Sequence, residues 1–422
     1  MSKDSHINYK KDALLNTIGN FAYLGALWLM SVLVVRISGF DDAGYFSLAM
    51  TTANIYISLA SYTVRLYYAA DLNYRFSDNQ YILMRILTTA SSFVLCFGCS
   101  LVAGYTGKKL IVILLFYVFK CAEMMSDILF GMLQRKGKLY LSGYTMTFKS
   151  VISLVAFCLI LKITQNLVIA LAVMAVIAIL VFLFIDYPIA KKYATQPIKL
   201  TKKDFMPALK LCKICFSLFI VGLCFNVIPS LPRLVFEKIY STEALGYYSS
   251  ISTITVLIST AVNCVLIPLV PKFTTFYQEN QKKKMTVLTF GCIGIILAIG
   301  VICFIGSLIA GKWILTLLFG QDIAPYVYIF KWVIVATIFQ SVIICFNDFF
   351  VAVERQNILM YGSIIGLILC IALSYPLCKK YYMYGVTNAL IISQGIEIAF
   401  FIFFIVKIIR NMGKPCIGKE DK

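Results

Sequence analysis

The chain has little of what most enzymes are built around. Its 422 residues include a single histidine, His6, so neither a histidine-based metal site nor a Ser-His-Asp triad can be assembled. No GxxxxGK[ST] loop occurs, which leaves no phosphate cradle of the ATPase kind. Charge is scarce, at 14% of residues, and acidic residues number 19 against 38 basic ones. No polar stretch is long enough for a soluble domain, since the longest interruption of apolar sequence runs only from Tyr187 to Lys213. The opening MSKDSHINYKKD lacks the short apolar region and small-residue cleavage site of a secretory signal. The first apolar segment is therefore expected to remain as a helix.

What is present is apolar: 61% of residues, in blocks of about 20 or more, enough to cross a hydrocarbon core at 1.5 Å per residue. The pattern predicts an all-α polytopic membrane protein with about twelve spans, at 14–37, 44–69, 81–104, 109–132, 139–161, 166–188, 211–236, 246–271, 285–309, 325–349, 358–378 and 384–409. Lys and Arg are retained on the cytoplasmic side of such proteins. With the N-terminus inside, the inner segments hold 24 of the 38 Lys and Arg, the outer segments hold nine, and Arg65, Arg85, Lys120, Lys149 and Lys331 fall within spans. Both termini are accordingly expected in the cytoplasm. This retention accounts for the net charge of +19, so nucleic acid is set aside as a partner. A basic linker at 189–210, suited to lie on an anionic lipid surface, is expected to join a six-helix lobe (1–188) to a second one with a cytoplasmic tail (211–422).

A repeat supports that division. GYFSLAMT at Gly44 to Thr51 returns as GYYSSIST at Gly246 to Thr253, a shift of 202 residues. A shift that crosses six helices restores the same direction through the membrane, so the halves are expected to be parallel repeats around a central cleft. Ser47, Thr51, Asn54, Ser58, Ser61 and Arg65 form one polar stripe at helical spacing, echoed by Ser249, Thr253, Thr260 and Asn263. The stripe reads either as cleft lining or as small residues that pack helices.

Ionisable residues within spans are costly and normally face a bundle interior or an aqueous cavity. Lys120, Glu123 and Asp127 share one face of the fourth span, Lys149 lies near mid-depth in the fifth, and Glu397 is deep in the twelfth. Lys331 lies toward the outer end of the tenth span and Asp348 toward its inner end. Lys120 and Glu123 read either as cleft residues or as a self-neutralising pair that locks helices. Arg85 reads as a snorkelling residue near the inner surface. Pro229 and Pro232 are expected to bend or end the seventh span, placing Arg233 near the outer mouth, either as a cleft residue or as an interfacial anchor. The CxxC spacings Cys96/Cys99 and Cys212/Cys215 sit in apolar runs without flanking ligands and read as structural cysteine, with no metal site.

Several local motifs occur in a fixed order: DDAGYFSLA at Asp41 to Ala49, LQRKGKLY at Leu133 to Tyr140, ALGYYSS at Ala244 to Ser250, LLFG at Leu317 to Gly320, VERQN at Val353 to Asn357 and YGVTNA at Tyr384 to Ala389. In this order, over twelve spans, they resemble the polysaccharide and O-antigen flippases of the multidrug/oligosaccharidyl-lipid/polysaccharide (MOP) exporter superfamily. The resemblance implies a multi-pass protein of the bacterial plasma membrane, not an enzyme, that moves undecaprenyl-diphosphate-linked sugar repeat units outward. Its implied partners are that lipid-linked oligosaccharide, membrane lipids and the polysaccharide polymerase machinery.

On that reading Arg65, Lys120, Lys149, Arg233 and Lys331 are the candidate diphosphate contacts, and Ser58, Ser61 and Asn263 the candidate sugar contacts. No cofactor is implied beyond a coupling H+ or Na+, for which Glu123, Asp127 and Glu397 are the candidate sites. The competing readings are a multidrug exporter, a lipid II flippase, which typically adds two helices, and a membrane polymerase or ligase, which usually carries a long outer loop.

Overall fold

The computed structural model describes residues 3–71, 74–199, 201–266 and 269–412. It is helical nearly throughout, with no strand among the described residues. The first helix, α1 (Lys3–Ser61), has 59 residues, close to 90 Å at 1.5 Å per residue and about three times what one crossing needs. It breaks at Gly39, whose φ of 84° lies in the left-handed region that glycine enters without a Cβ clash. The first two expected spans are thus one interrupted helix, continued by α2 (Val64–Ala70).

The first half continues with α3 (Asp78–Val102), α4 (Gly107–Arg135), α5 (Leu139–Thr164), α6 (Leu167–Val181) and α7 (Tyr187–Tyr193). A π turn, Phe182–Asp186, joins α6 to α7. The remaining helices are α8 (Phe205–Ile239), α9 (Thr242–Thr253), α10 (Thr255–Leu266), α11 (Val270–Gln278), α12 (Lys282–Phe319), α13 (Phe330–Ala352), α14 (Gln356–Tyr381) and α15 (Met383–Asn411). Among the described residues ten helices are long and apolar enough to cross a membrane. That count takes the two crossings in α1 as one and omits α4, whose 29 residues carry Lys120, Glu123 and Asp127 mid-helix. Each of the twelve expected spans therefore has its helix. The expected tail beyond Met412 lies outside the described residues.

The chain forms two compact units that divide between Ser250 and Ile251. Whereas the expected lobe boundary follows the sequence repeat at 189–210, α8 packs within the first unit, against α1 and α3. It also runs unbroken through Pro229 and Pro232, so the prolines do not end this helix. At one end of the first unit Tyr68, Tyr81, Met84, Ile128, Met132 and Leu211 form a continuous core. Arg135, which the sequence places in an inner loop, is buried there against the rings of Tyr68 and Tyr74, at 4.5 and 4.4 Å. It pairs with Asp78, whose carboxylate also accepts the Tyr68 hydroxyl at 2.8 Å and the Thr195 N–H at 2.9 Å. The second unit packs α12, α14 and α15 around α13, with Phe346, Phe349 and Phe401 in its core. The outer face of α12 exposes Val301, Ile302, Ile305, Ile309 and Trp313, the surface expected of a helix in contact with lipid tails.

Candidate functional site

The spacing of Lys120, Glu123 and Asp127 aims one face of α4 at three other helices. Lys120 Nζ lies 2.9 Å from Glu123 Oε2, so the two form a pair on their own helix. The Tyr23 hydroxyl of α1 donates to the same carboxylate at 2.6 Å and accepts from Lys120. One turn on, Asp127 bridges two arginines, with Arg65 of α2 at 2.8 Å and Arg85 of α3 at 3.1 Å. Arg85 also donates to the Ala60 carbonyl at 2.7 Å and is fully buried. The snorkelling reading of Arg85 is therefore wrong: a carboxylate and a carbonyl hold it in the interior. On α5, Lys149 lies 3.0 Å from Asp186 and donates to Ser126 at 2.7 Å, while Ser126 donates to Asp186 at 2.6 Å.

These groups surround a cavity of about 180 Å³ lined by Asn20, Tyr23, Arg65, Glu123, Asp127 and Lys149, with Met124, Ser126, Phe130 and Met146. Arg65 and Lys149 line it against Glu123 and Asp127, two cations to two carboxylates, and Arg85, Lys120 and Asp186 stand behind them through their ion pairs. The pairs differ in how far solvent reaches them. The side chains of Lys149 and Asp186 are 7% and 0% exposed, whereas those of Arg65 and Asp127 are 25% and 22% exposed. An anion entering the cavity therefore meets Arg65 and Asp127 first. Tyr23 and Asp186 are not among the residues that spacing marks out. Tyr23 carries no local signal in a run of other aromatics, and Asp186 looks like an ordinary span-end charge until the π turn directs it inward.

The remaining expected residues lie elsewhere. Ser58 accepts from Asn226 at 2.9 Å and donates to the Gly222 carbonyl at 3.3 Å, joining α1 to α8. Ser61 donates to the Ser58 carbonyl at 3.2 Å, and neither serine lines the cavity. Arg233 is on α8, 5.8 Å from the Tyr248 ring. Lys331, Asn263 and Glu397 belong to the second unit, on α13, α10 and α15. Glu397 is buried and accepts from Ser363 at 3.0 Å.

At the opposite end from Arg135, the repeat-related segments touch each other. A Cβ at Gly44 would lie 1.9 Å from the Thr242 carbonyl oxygen, and one at Gly246 would lie 2.2 Å from the Phe40 carbonyl oxygen. A shift of 202 turns Phe40 into Thr242 and Gly44 into Gly246, so each contact is the mirror of the other, as across a two-fold axis. Ser47 likewise bonds to its own repeat mate, Ser249, and Phe40 stacks on Tyr247 with centroids 4.0 Å apart. Beside this crossing Glu237 pairs with Lys109 at 2.5 Å and accepts from Tyr105 at 3.0 Å and Thr242 at 3.1 Å, and Lys108 pairs with Asp42. Burial and the Glu237 carboxylate push the Tyr105 phenol well above its ordinary value, which keeps it a donor.

No family model matches the chain. The capsular polysaccharide biosynthesis protein CapF of Staphylococcus aureus is similar, with 24% identity over 383 residues, 90% of this chain and 95% of CapF. Among solved structures, the lipid II flippase MurJ in an inward closed conformation gives a TM-score of 0.73 at 15% identity, over 94% of this chain and 90% of MurJ. The Vibrio cholerae MATE transporter VcmN gives 0.64 at 12% identity, over 98% and 99%. The chain thus has the fold of MOP superfamily exporters and is a multi-pass helical membrane protein.

Proposed function

We propose that the protein is a flippase of the bacterial plasma membrane. It moves polyprenyl-diphosphate-linked oligosaccharide units from the cytoplasmic to the outer leaflet by alternating access, for capsule or another surface polysaccharide. The fold and the likeness to CapF support a transporter acting in polysaccharide synthesis. The observation that carries the reading is a cavity lined by two cations, Arg65 and Lys149, in which the Arg65–Asp127 pair is the most exposed. A diphosphate carries about two negative charges and crosses hydrocarbon only if it is paired, because desolvating a lone ion is prohibitive.

The pairing works by exchange. The diphosphate takes Arg65 from Asp127, while Arg85 holds Asp127 in place. Lys149 and Lys120 supply further charge as the headgroup advances, with Glu123 and Asp127 taking up the coupling ion. Arg233, Lys331, Ser58, Ser61 and Asn263 are further proposed substrate contacts, and Glu397 is a further proposed ion site. The flipped units would then pass to polymerising enzymes.

Proteoliposomes holding the purified protein and a labelled lipid-linked oligosaccharide test the reading. Leaflet transfer without any bond cleavage is expected, and Arg65→Gln combined with Lys149→Gln should abolish it. Transfer by that variant at the normal rate, or cleavage of the sugar-diphosphate bond by the normal protein, would overturn it.

A further inference from the structure

A second cavity, of about 360 Å³, opens in the second unit between α11 and the start of α12. Lys272, Lys283 and Lys284 line it together with Phe276, Val287 and Leu288, and Lys284 lies 5.7 Å from the Phe276 ring. No carboxylate lines this cavity. Lys282, Lys283 and Lys284 open α12, where the helix macrodipole is positive and cations are disfavoured. Retention of basic loops on one side of a membrane explains the charge but does not require the lysines to surround a cavity.

Below the lysines the same helix face changes character. Lys284, Val287, Gly291 and Gly294 are spaced i, i+3, i+7 and i+10 and share one side of α12. A Cβ at Gly291 or Gly294 would meet nothing within 4 Å. Exposed Val287, Phe290 and Ile295 surround this shallow trough. A positive pocket thus sits next to an apolar trough on a helix whose outer face is exposed and apolar.

We infer that this is a binding site for a membrane phospholipid with a net-negative headgroup. Its phosphate lies among Lys272, Lys283 and Lys284, and one acyl chain lies over Gly291 and Gly294. The inference does not depend on the flippase reading. Basic pockets between helices at a membrane face hold anionic headgroups in this way, and the trough distinguishes a lipid from a free anion.

Native mass spectrometry of the full-length protein, delipidated and titrated with phosphatidylglycerol or phosphatidylcholine, tests it. Phosphatidylglycerol should be retained preferentially, and Lys272→Gln, Lys283→Gln and Lys284→Gln together should weaken its binding roughly tenfold or more. Gly291→Leu with Gly294→Leu, at positions where an added Cβ meets nothing within 4 Å, should weaken phosphatidylglycerol while leaving any response of the melting temperature to inorganic phosphate unchanged. All five positions are at the surface, so the variants should melt like the normal protein without lipid. Undiminished phosphatidylglycerol binding by the triple variant, equal retention of phosphatidylcholine, or equal protection by inorganic phosphate would each overturn the proposal.

Discussion

In the first unit, buried and half-buried charge is met by opposite charge: Lys120 by Glu123, Lys149 by Asp186, Arg65 and Arg85 by Asp127, Arg135 by Asp78 and Lys109 by Glu237. In the second, the buried Glu397 is held by a serine hydroxyl, and Gln394 is bonded to Gln340. The repeat has therefore kept its backbone geometry where its two copies touch, at Gly44 and Gly246, and lost its chemical likeness away from that crossing. Contact between mirror-related backbones constrains both copies at once. Side chains away from the axis carry no such constraint.

Breaking a buried pair should show this contrast most strongly. Asp186→Ala strands Lys149 in the interior and should cost about 3–5 kcal/mol, read as a collapse in membrane abundance and detergent melting temperature. Asp186→Leu with Lys149→Met should recover the fold but not transport. The mirror crossing comes next: Gly44→Ala and Gly246→Ala should each cost about 1–3 kcal/mol by forcing a methyl onto a backbone carbonyl. Their melts should match, and a large difference between the two would break the mirror.

In the second unit Glu397→Gln exchanges one hydrogen bond for a neutral one and should cost only about 1 kcal/mol; a loss as large as that of Asp186→Ala would erase the difference between the units. The smallest structural effect is expected of Arg65→Gln, below about 1 kcal/mol because the pair is partly solvated. Transport by that variant should nonetheless fall roughly tenfold or more in the proteoliposome assay.

Much of the fold is readable from apolar block length, because a helix that crosses lipid must satisfy its backbone within itself and declares its length in sequence. The local half of the site is readable too: Lys120, Glu123 and Asp127 share a face by spacing alone. Their partners Tyr23 and Arg85, and the Asp186 that holds Lys149, are not, because nothing near them in sequence specifies which helix they meet. Arg85 misleads for the same reason, since its depth depends on Ala60 and Asp127 rather than on its position in a span. Pro229 and Pro232 suggest a bend or a stop, and α8 continues through both. The 202-residue echo is legible as a repeat, whereas the contact between its two copies is a property of the folded chain.

The π turn at Phe182–Asp186 also bears on how this chain can vary. Such a turn amounts to one residue inserted in an α-helix, and removing it rotates the downstream residues by about 100°. A one-codon deletion within 182–185 would leave the composition of the sixth span almost unchanged while swinging Asp186 away from Lys149 and Ser126. A related gene lacking that codon would encode the same helix and a different cavity, so alignment gaps here carry more information than substitutions.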